Sequence, residues 1–178
     1  MQIGILGSVR PNSPKSSGKL PPGQREVANF PVLDLGVKPN FDPISWRFRV
    51  VGEVSNPINI SYDELLKLSK TNLAADFHCV TRWSQYGIKW GGLSVPDLLK
   101  IVKPTAKAKF VVAESADGYS TNLPMSDFNR ENCMIAYELE GKPIPREHGW
   151  PARTLIPHLY AWKGAKFLHT LRFQERDE

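Results

Sequence analysis

"DFHCVTRWSQYGIKWGG", residues 76–92, contains Cys79, one of only two cysteines in a chain of 178 residues. His78 comes immediately before this cysteine, and Arg82 follows it by three positions. Neighbouring cations lower the pKa of a thiol, and the resulting thiolate is a nucleophile and a ligand for soft metals. A buried cysteine that serves only as a small apolar side chain is the alternative, and the spacing leaves both interpretations open.

The run "NLAADFHCV", residues 72–80, predicts a strand that ends near Cys79. Because side chains alternate across a strand, His78 should face away from Cys79, and Arg82 should be the nearer cation. We expect a loop after the cysteine to bring Arg82 to the mouth of a site, where a guanidinium would stabilise negative charge on an oxyanion. An exposed arginine stacked on Trp83 is the alternative.

Composition restricts the class of protein. A chain that is 41% hydrophobic and 10% aromatic is globular and long enough for one domain with a real core. The net charge of +5 suits an anionic partner such as nucleic acid or a phosphorylated cofactor, or it reflects ordinary solubility. The N-terminus does not resemble a signal peptide, and the apolar runs are far shorter than the roughly 18 residues that span a bilayer. We therefore expect a cytoplasmic protein with reduced thiols and no membrane insertion, although a disulfide between Cys79 and Cys133 is the alternative.

The chain divides at about residue 26. Seven of the 15 prolines lie within residues 1–45, where they disfavour long helices and central strands. We interpret residues 1–26 as a proline-rich basic tail and arm. Residues 27–178 are interpreted as a single domain, onto which the segment "VANFPVLDLG" packs as an extended arm.

Periodic patterns in this domain predict many strands and few, short helices. Two runs begin with a serine followed three positions later by an acidic residue, which is typical of a helix N-terminus: "SYDELLKLS" (61–69) and "SVPDLLKIV" (94–102). Four further runs predict strands, namely "WRFRVVGEV" (46–54), "AKFVVAES" (108–115), "ARTLIP" (152–157) and "AKFLHTLRFQ" (165–174). The run "DGYSTNLP" (117–124) predicts a turn followed by a short strand, and "CMIAYELEGKPI" (133–144) predicts a strand with a turn at "EGKP". The sequence therefore predicts an α+β fold with a mixed β-sheet, few short helices and long loops.

A second candidate site lies in "EHGWPARTLIPHLYAWKGAKFL", residues 147–168. Arg153, Lys163 and Lys166 stand here among aromatic residues, and Gly164 permits close approach of the backbone to a ligand. Arginine binds phosphate through two parallel hydrogen bonds, and lysine adds a compact charge. The stretch therefore predicts a socket for a phosphate, with a solvated basic loop as the alternative.

Two other chemistries remain open at this point. The aromatic residues among the basic side chains could stack on single-stranded nucleic acid, although no nucleic-acid motif accompanies them. A zinc site would need ligands at short spacing, which is not found among the available side chains, Cys79, Cys133, His78, His148, His158 and His169.

Taken together, six motifs resemble the molybdopterin-binding domain of the sulfite oxidase superfamily, and most of all its short, stand-alone bacterial and archaeal oxidoreductases. They appear in the family's order across residues 27–174: "FHCVTRWS", "GIKWGGLSVPDLL", "AKFVVAES", "GYSTNLP", "HGWPARTLIP" and "YAWKGAKFL". The resemblance implies a sulfite-oxidase-type fold and a molybdenum–molybdopterin cofactor, with no haem or iron–sulfur cluster in this chain.

The resemblance also implies roles for individual residues. Cys79 matches the cysteine whose thiolate ligates molybdenum, and it is the one metal ligand expected from this chain. Arg82 and Tyr119, with His158, are candidates for the side of the metal that meets the substrate, so that Cys79, Arg82 and Tyr119 form the expected catalytic set. The expected cofactor-binding residues are Asn29, Phe30, Leu33, Phe77, His78, Cys79, Ser115, His148, Arg153, Lys163, Gly164, Ala165 and Lys166.

In function, the resemblance implies oxygen-atom transfer on a small sulfite-like or sulfoxide-like substrate, with electrons exchanged through a separate protein partner. Animal members have two arginines at the fourth and fifth positions after the cysteine, where this chain has Trp83 and Ser84, so an arginine pocket for sulfite is not evident. The chain also lacks the dimerisation domain of those enzymes, and we expect a monomer. The alternatives are a non-catalytic molybdopterin-binding protein and a basic nucleic-acid-binding module.

Overall fold

Two β-sheets form the framework of the protein, whose computed structural model describes residues 20–33 and 35–177. Of the predicted tail and arm (1–26), residues 1–19 thus lie outside the described residues. Within them, eleven strands follow one another along the chain: β1 (Arg25–Glu26), β2 (Phe48–Gly52), β3 (Ile58–Ile60), β4 (Thr71–Cys79), β5 (Trp83–Ser94), β6 (Phe110–Ser115), β7 (Ser120–Pro124), β8 (Met134–Leu139), β9 (Lys142–Pro143), β10 (Arg153–Leu155) and β11 (Leu168–Gln174).

Both sheets are mixed, as the sequence predicts. The first contains six strands, ordered β1-β5-β8-β10, with β4 along the other side of β5 and β9 beside β8. The second contains five strands in the order β3-β2-β11-β6-β7. Each sheet has one parallel pair, β1 with β5 and β2 with β11, and its other pairs are antiparallel. The expectation of an α+β fold is confirmed, with two sheets in place of one.

Short helices connect the strands and begin where the serine caps predict. Helix α1 (Tyr62–Lys67) has a complete capping box, in which Ser61 accepts a hydrogen bond from the backbone of Glu64 and the Glu64 carboxylate accepts one from Ser61. The side chain of Ser94 caps helix α2 (Val95–Val102) in the same way, through the backbone N–H of Asp97. Helix α3 (Met125–Phe128) was not predicted, because four residues carry too little periodic pattern.

Strand β5 is the main difference from the expected structure, since we expected a loop after Cys79. Its sequence contains three glycines and no regular alternation of apolar and polar residues, so its pattern does not predict a strand. The strand forms because it pairs on both sides, with β4 along one edge and with β1 and β8 along the other. At Gly92 the backbone of β8 passes so close that an added Cβ would lie 2.2 Å from the carbonyl oxygen of Ile135.

The core has two parts, and the smaller one supports the candidate site. The larger cluster is built around Phe48, Leu98, Tyr137 and Phe173. The smaller cluster lies on the first sheet and contains Phe77, Cys79, Trp83, Trp90 and Leu155, among others. Within the described part of the chain, no helix is long and apolar enough to cross a bilayer.

The N-terminal segment belongs to the first sheet. Strand β1 pairs in parallel with the beginning of β5, where Arg25 lies opposite Trp83, and the backbone N–H of Val27 donates to the Ser84 carbonyl. The predicted boundary was residue 27, but pairing with the sheet already begins at residue 25.

We predict that Gly92→Ala destabilises the protein, because the new methyl group would meet backbone atoms of β8 that cannot rotate away. Urea unfolding should show a loss of about 3 kcal/mol in the free energy of unfolding. The matched control is Gly141→Ala, a turn position with a φ of +74° and open space for a Cβ, which should lose only about 1 kcal/mol. Equal losses in both variants would contradict the close approach at Gly92.

Candidate active site

A tight turn holds Cys79 at the end of β4. The backbone N–H of Arg82 donates to the carbonyl oxygen of Cys79 at 3.1 Å, and β5 begins at the next residue. Arg82 has a φ of 68°, the left-handed conformation that allows so short a reversal. The hydroxyl of Thr81 lies 3.1 Å from the sulfur of Cys79. The turn therefore fixes the thiol between two strands of one sheet.

A chain of polar side chains supports this turn from the opposite face of the sheet. His78 lies 2.8 Å from Ser84 through Nδ1, the Ser84 hydroxyl donates to Oε1 of Gln24, and Nε2 of Gln24 donates to the carbonyl oxygen of Cys79. These contacts connect the His78 ring to the backbone of the turn through Ser84 and Gln24. His78 thus faces away from the thiol, as strand alternation predicts, and acts on Cys79 through the backbone.

A cavity of about 260 Å³ opens beside Cys79. Nine of the residues predicted for the site line it: Phe30, Leu33, Phe77, Cys79, Tyr119, His148, Arg153, Gly164 and Lys166. These residues come from the N-terminal arm, the first sheet, the turn between β6 and β7, the segment before β10 and the loop before β11. The cavity therefore brings together the two stretches of sequence that were selected as candidate sites.

Arg153 is a buried cation of this cavity and is only 3% exposed. Its guanidinium donates to the carbonyl oxygen of His148 at 3.0 Å and lies over the rings of Phe77 and Trp90, 5.1 and 5.5 Å from their centroids. Its Nε has no hydrogen-bond partner among the described residues. Burial lowers the pKa of Arg153 to about 10, so it remains charged at neutral pH. A buried guanidinium that pairs with no described carboxylate is suited to an anionic ligand.

His148 adds a neutral aromatic surface. Its ring stacks on Phe30 at a centroid distance of 4.3 Å and an interplanar angle of 9°. Burial, and then the charge of Arg153, lower the pKa of His148 below its usual value, so the imidazole is uncharged at neutral pH. It can therefore stack on a heterocycle or exchange a hydrogen bond with one, without adding charge.

The loop after β10 supplies Lys166. Its ammonium group donates to the carbonyl oxygens of Glu147, at 2.9 Å, and of Leu33, which joins this loop to the N-terminal arm. The predicted phosphate loop also included the backbone of Gly164 and Ala165. Here those N–H groups donate to the Ala161 carbonyl and to the Thr154 hydroxyl. The backbone N–H groups of Gly164 and Ala165 are therefore engaged within the chain, and the Lys166 ammonium is the cationic group of this loop that lines the cavity.

Six residues of the predicted set do not line the cavity: Asn29, His78, Arg82, Ser115, Lys163 and Ala165. Lys163 donates to the backbone and side chain of Asn122 at 2.8 and 2.9 Å, which binds it to β7 instead. Arg82 is held in the short turn instead of a loop that would carry it to the mouth. The hydroxyl of Ser115 is buried at the end of β6 without a hydrogen-bond partner among the described residues.

His158, the remaining candidate for the substrate side, also lies elsewhere. Its Nε2 lies 3.2 Å from a carboxylate oxygen of Asp127, which in turn pairs with Arg130 at 2.9 Å. This arrangement belongs to the region of helix α3 and not to the cavity lining.

Tyr119 does line the cavity, and two neighbours that sequence reasoning missed accompany it. Its hydroxyl donates to the carbonyl oxygen of Trp162, and burial raises the pKa of Tyr119. Trp162 is 53% exposed beside the opening, and Asp117 lies in the turn between β6 and β7. Trp162 lies inside the motif "YAWKGAKFL" and Asp117 directly precedes the motif "GYSTNLP", but only their position beside the cavity indicates a role.

The two cysteines are both free, so the disulfide alternative is wrong. Cys133 lies in the larger core cluster and Cys79 in the smaller one. Burial raises the pKa of the Cys133 thiol to about 11. Within the described part of the chain, no three histidine, cysteine, aspartate or glutamate side chains gather where they could hold a metal ion.

Comparison with known proteins identifies the class. Residues 35–178 match the family described as the oxidoreductase molybdopterin binding domain. The chain is 35% identical over 162 residues to "Uncharacterized oxidoreductase YuiH" of Bacillus subtilis, covering 90% of this chain and 82% of that protein. It is 32% identical over 150 residues to the "Protein-methionine-sulfoxide reductase catalytic subunit MsrP" of Burkholderia mallei, covering 75% of this chain and 45% of that protein.

A solved structure shares the fold. The sulfane dehydrogenase SoxCD from Paracoccus pantotrophus superposes with a TM-score of 0.70 at 20% identity, over 78% of this chain and 40% of that chain. The chain belongs to the oxidoreductase molybdopterin binding domain family of the sulfite oxidase superfamily and is a molybdopterin-binding oxidoreductase. The family resemblance and the expected fold are thereby confirmed.

We predict a pH effect from Cys133, because its pKa is about 11 in the folded chain against an ordinary 9.0. The unfolded chain releases this proton first, so wild type should lose roughly 2 kcal/mol of stability between pH 9 and 11. Cys133→Ala should lose none of this contribution. Urea unfolding of both proteins under reducing conditions should therefore show a difference in stability that is constant from pH 6 to 8 and shifts in favour of the variant above pH 9. A constant difference up to pH 11 would contradict the raised pKa.

Proposed function

We propose that this chain binds a molybdenum–molybdopterin cofactor in the cavity beside Cys79 and catalyses oxygen-atom transfer on a small sulfite-like or sulfoxide-like substrate. The thiolate of Cys79 is the protein ligand to the metal. The observation that carries the proposal is the presence, in one cavity, of a thiol and a buried guanidinium that has no described carboxylate partner.

The side chains fit this cofactor. Arg153 and Lys166 supply two positive charges for the pterin phosphate, and the unpartnered Nε of Arg153 offers a donor. The stacked pair of Phe30 and His148 offers an uncharged aromatic surface to the pterin ring. The sulfur of Cys79 is a soft ligand that suits a metal already held by sulfur atoms.

When bound, the cofactor supplies the two-electron redox chemistry and the position at which oxygen is exchanged. The chain's own residues orient the cofactor and shape the approach of the substrate. The turn at Cys79 fixes the thiolate, and Phe77 and Trp83 line the cavity with apolar surface that excludes water. The Tyr119 hydroxyl donates a hydrogen bond to the carbonyl oxygen of Trp162, and it can donate to a substrate oxygen instead.

The relatives favour a sulfoxide-like substrate, and the family resemblance makes a sulfite-like substrate the class to compare with it. Three MsrP relatives of 31–32% identity carry a name that states methionine sulfoxide reduction and a catalytic subunit. By analogy we propose that a separate protein exchanges electrons with this chain. A monomeric state and a cytoplasmic location also remain our predictions.

The decisive test is elemental analysis of the purified holoenzyme together with assays on dimethyl sulfoxide and sulfite. One molybdenum per chain with turnover of either substrate supports the proposal. Molybdenum without turnover of any oxygen donor or acceptor would favour a non-catalytic carrier. Binding of single-stranded nucleic acid that weakens steeply with salt, in protein without molybdenum, would favour the nucleic-acid module.

We predict that Cys79→Ser abolishes turnover with little change in folding, because serine keeps the volume of the side chain but is not a soft ligand. The rate should fall at least a hundredfold, and the molybdenum absorption or resonance spectrum should change. Cys133→Ser is the matched control and should keep both the rate and the spectrum, since Cys133 lies in the other core cluster. Wild-type turnover in Cys79→Ser would disprove the assignment of the ligand.

We predict opposite effects of Arg153→Met on the protein without and with cofactor. Without cofactor, loss of a buried charge that lacks a carboxylate partner should raise the free energy of unfolding by about 1–2 kcal/mol. In the holoenzyme, the lost charge-assisted contact should lower molybdenum occupancy at least tenfold. Arg172→Met is the control, because Arg172 pairs with Glu114 on the surface and should change neither quantity substantially. A variant that is less stable without cofactor yet keeps full occupancy would refute the proposed role.

A further inference from the structure

We propose that Asp117 is a specificity-determining residue that disfavours anionic substrates and favours uncharged ones. This inference rests on the proposed function and assigns it a substrate class, an uncharged oxygen donor such as a sulfoxide. The observation behind it is that Asp117 contributes the only carboxylate among the described residues that line the cavity.

The geometry of the turn holds this carboxylate in place. Asp117 lies between β6 and β7, and its Oδ1 accepts the backbone N–H of Tyr119 at 3.1 Å. No cation forms an ion pair with Asp117 within the described ranges. The turn therefore fixes the position of the Asp117 carboxylate, and no cation among the described residues pairs with it.

The charge of Asp117 also reaches the candidate catalytic side chain. Burial raises the pKa of Tyr119, and the negative charge of Asp117 raises it further. The same field that opposes ionisation of the phenol would oppose the approach of an anion to that hydroxyl. A neutral sulfoxide, in contrast, could accept a hydrogen bond from it without repulsion.

The exposed side chains that line the cavity near its opening are apolar. Val80 is 57% exposed and Trp162 is 53% exposed, and both line the cavity with apolar atoms. The cations of the cavity, Arg153 and Lys166, are the ones that the cofactor phosphate would engage. Arg82, which could have attracted an oxyanion, lies outside the lining. The lining near the opening is thus apolar apart from the Asp117 carboxylate, and the ammonium group of Lys163 lies outside the lining, 4.6 Å from the centroid of the Trp162 ring.

The first test measures how the charge of Asp117 affects the alkylation of Cys79 in the protein without cofactor. Iodoacetate and iodoacetamide react with the same thiolate but differ by one negative charge, so the ratio of their rates cancels the thiolate fraction. Mass spectrometry of the Cys79 peptide gives both rates in native protein. Asp117→Asn keeps the acceptor for the Tyr119 N–H and removes only the charge. It should raise the iodoacetate-to-iodoacetamide ratio by about three- to tenfold at low salt, and less at 0.5 M salt.

Asp63→Asn is the matched control, since Asp63 is an exposed carboxylate on α1 that does not line the cavity. Its ratio should stay within about 1.5-fold of wild type, as screening predicts for a distant charge. An unchanged ratio in Asp117→Asn, or equal changes in both variants, would overturn the proposal whether or not the chain is an oxygen-transfer enzyme.

The second test uses the holoenzyme. Asp117→Asn should raise kcat/KM for sulfite relative to kcat/KM for dimethyl sulfoxide by at least threefold, with molybdenum content unchanged. Equal changes for both substrates would overturn the role in specificity. Failure of the proposed function would look different, because wild type itself would then lack molybdenum or turnover while the alkylation ratio would still respond to Asp117.

Discussion

The burial of Arg153 without a described carboxylate partner is the constraint on which the rest of this site depends. A charge in this position lowers stability unless an anion or a set of dipoles compensates for it. Here the rings of Phe77 and Trp90 and one carbonyl oxygen compensate only in part. The fold thus holds a partly compensated positive charge in the same cavity as a thiol, and the residues of the smaller core cluster hold β4, β5 and β10 together around it.

The strands and caps of this protein could be predicted from the sequence because their signals are local. Ser61 and Ser94 predict the starts of two helices, and the composition of "AKFVVAES" alone predicts β6. Strand β5 was not predicted, because pairing with strands along both of its edges stabilises it, and its own glycine-rich sequence does not indicate a strand. The pairing of β1 with β5 is similarly non-local.

The residues of the candidate site also divide into those that sequence motifs predict and those whose positions depend on the fold. Cys79, His148 and Arg153 could be selected from motifs, since their spacing matches a family. Arg82 could not be placed, because a turn of three residues with a left-handed conformation decides where its side chain goes. Asp117 could not be predicted as a site residue, because polar residues are common in turns and only the packing of the chain places this one beside the cavity.

The hydrogen bonds from Gln24 to the turn at Cys79 have a consequence for where the domain begins. Similarity to the family starts at residue 35, yet β1, Gln24 and Phe30 all precede it and contact the strand, the turn or the cavity. The candidate site therefore extends beyond residues 35–178, the segment that the family description matches. A version trimmed to residues 35–178 would keep Cys79 and Arg153 but lose Gln24, which donates to the Cys79 carbonyl, and Phe30, which stacks on His148, so its boundaries should be set by these contacts.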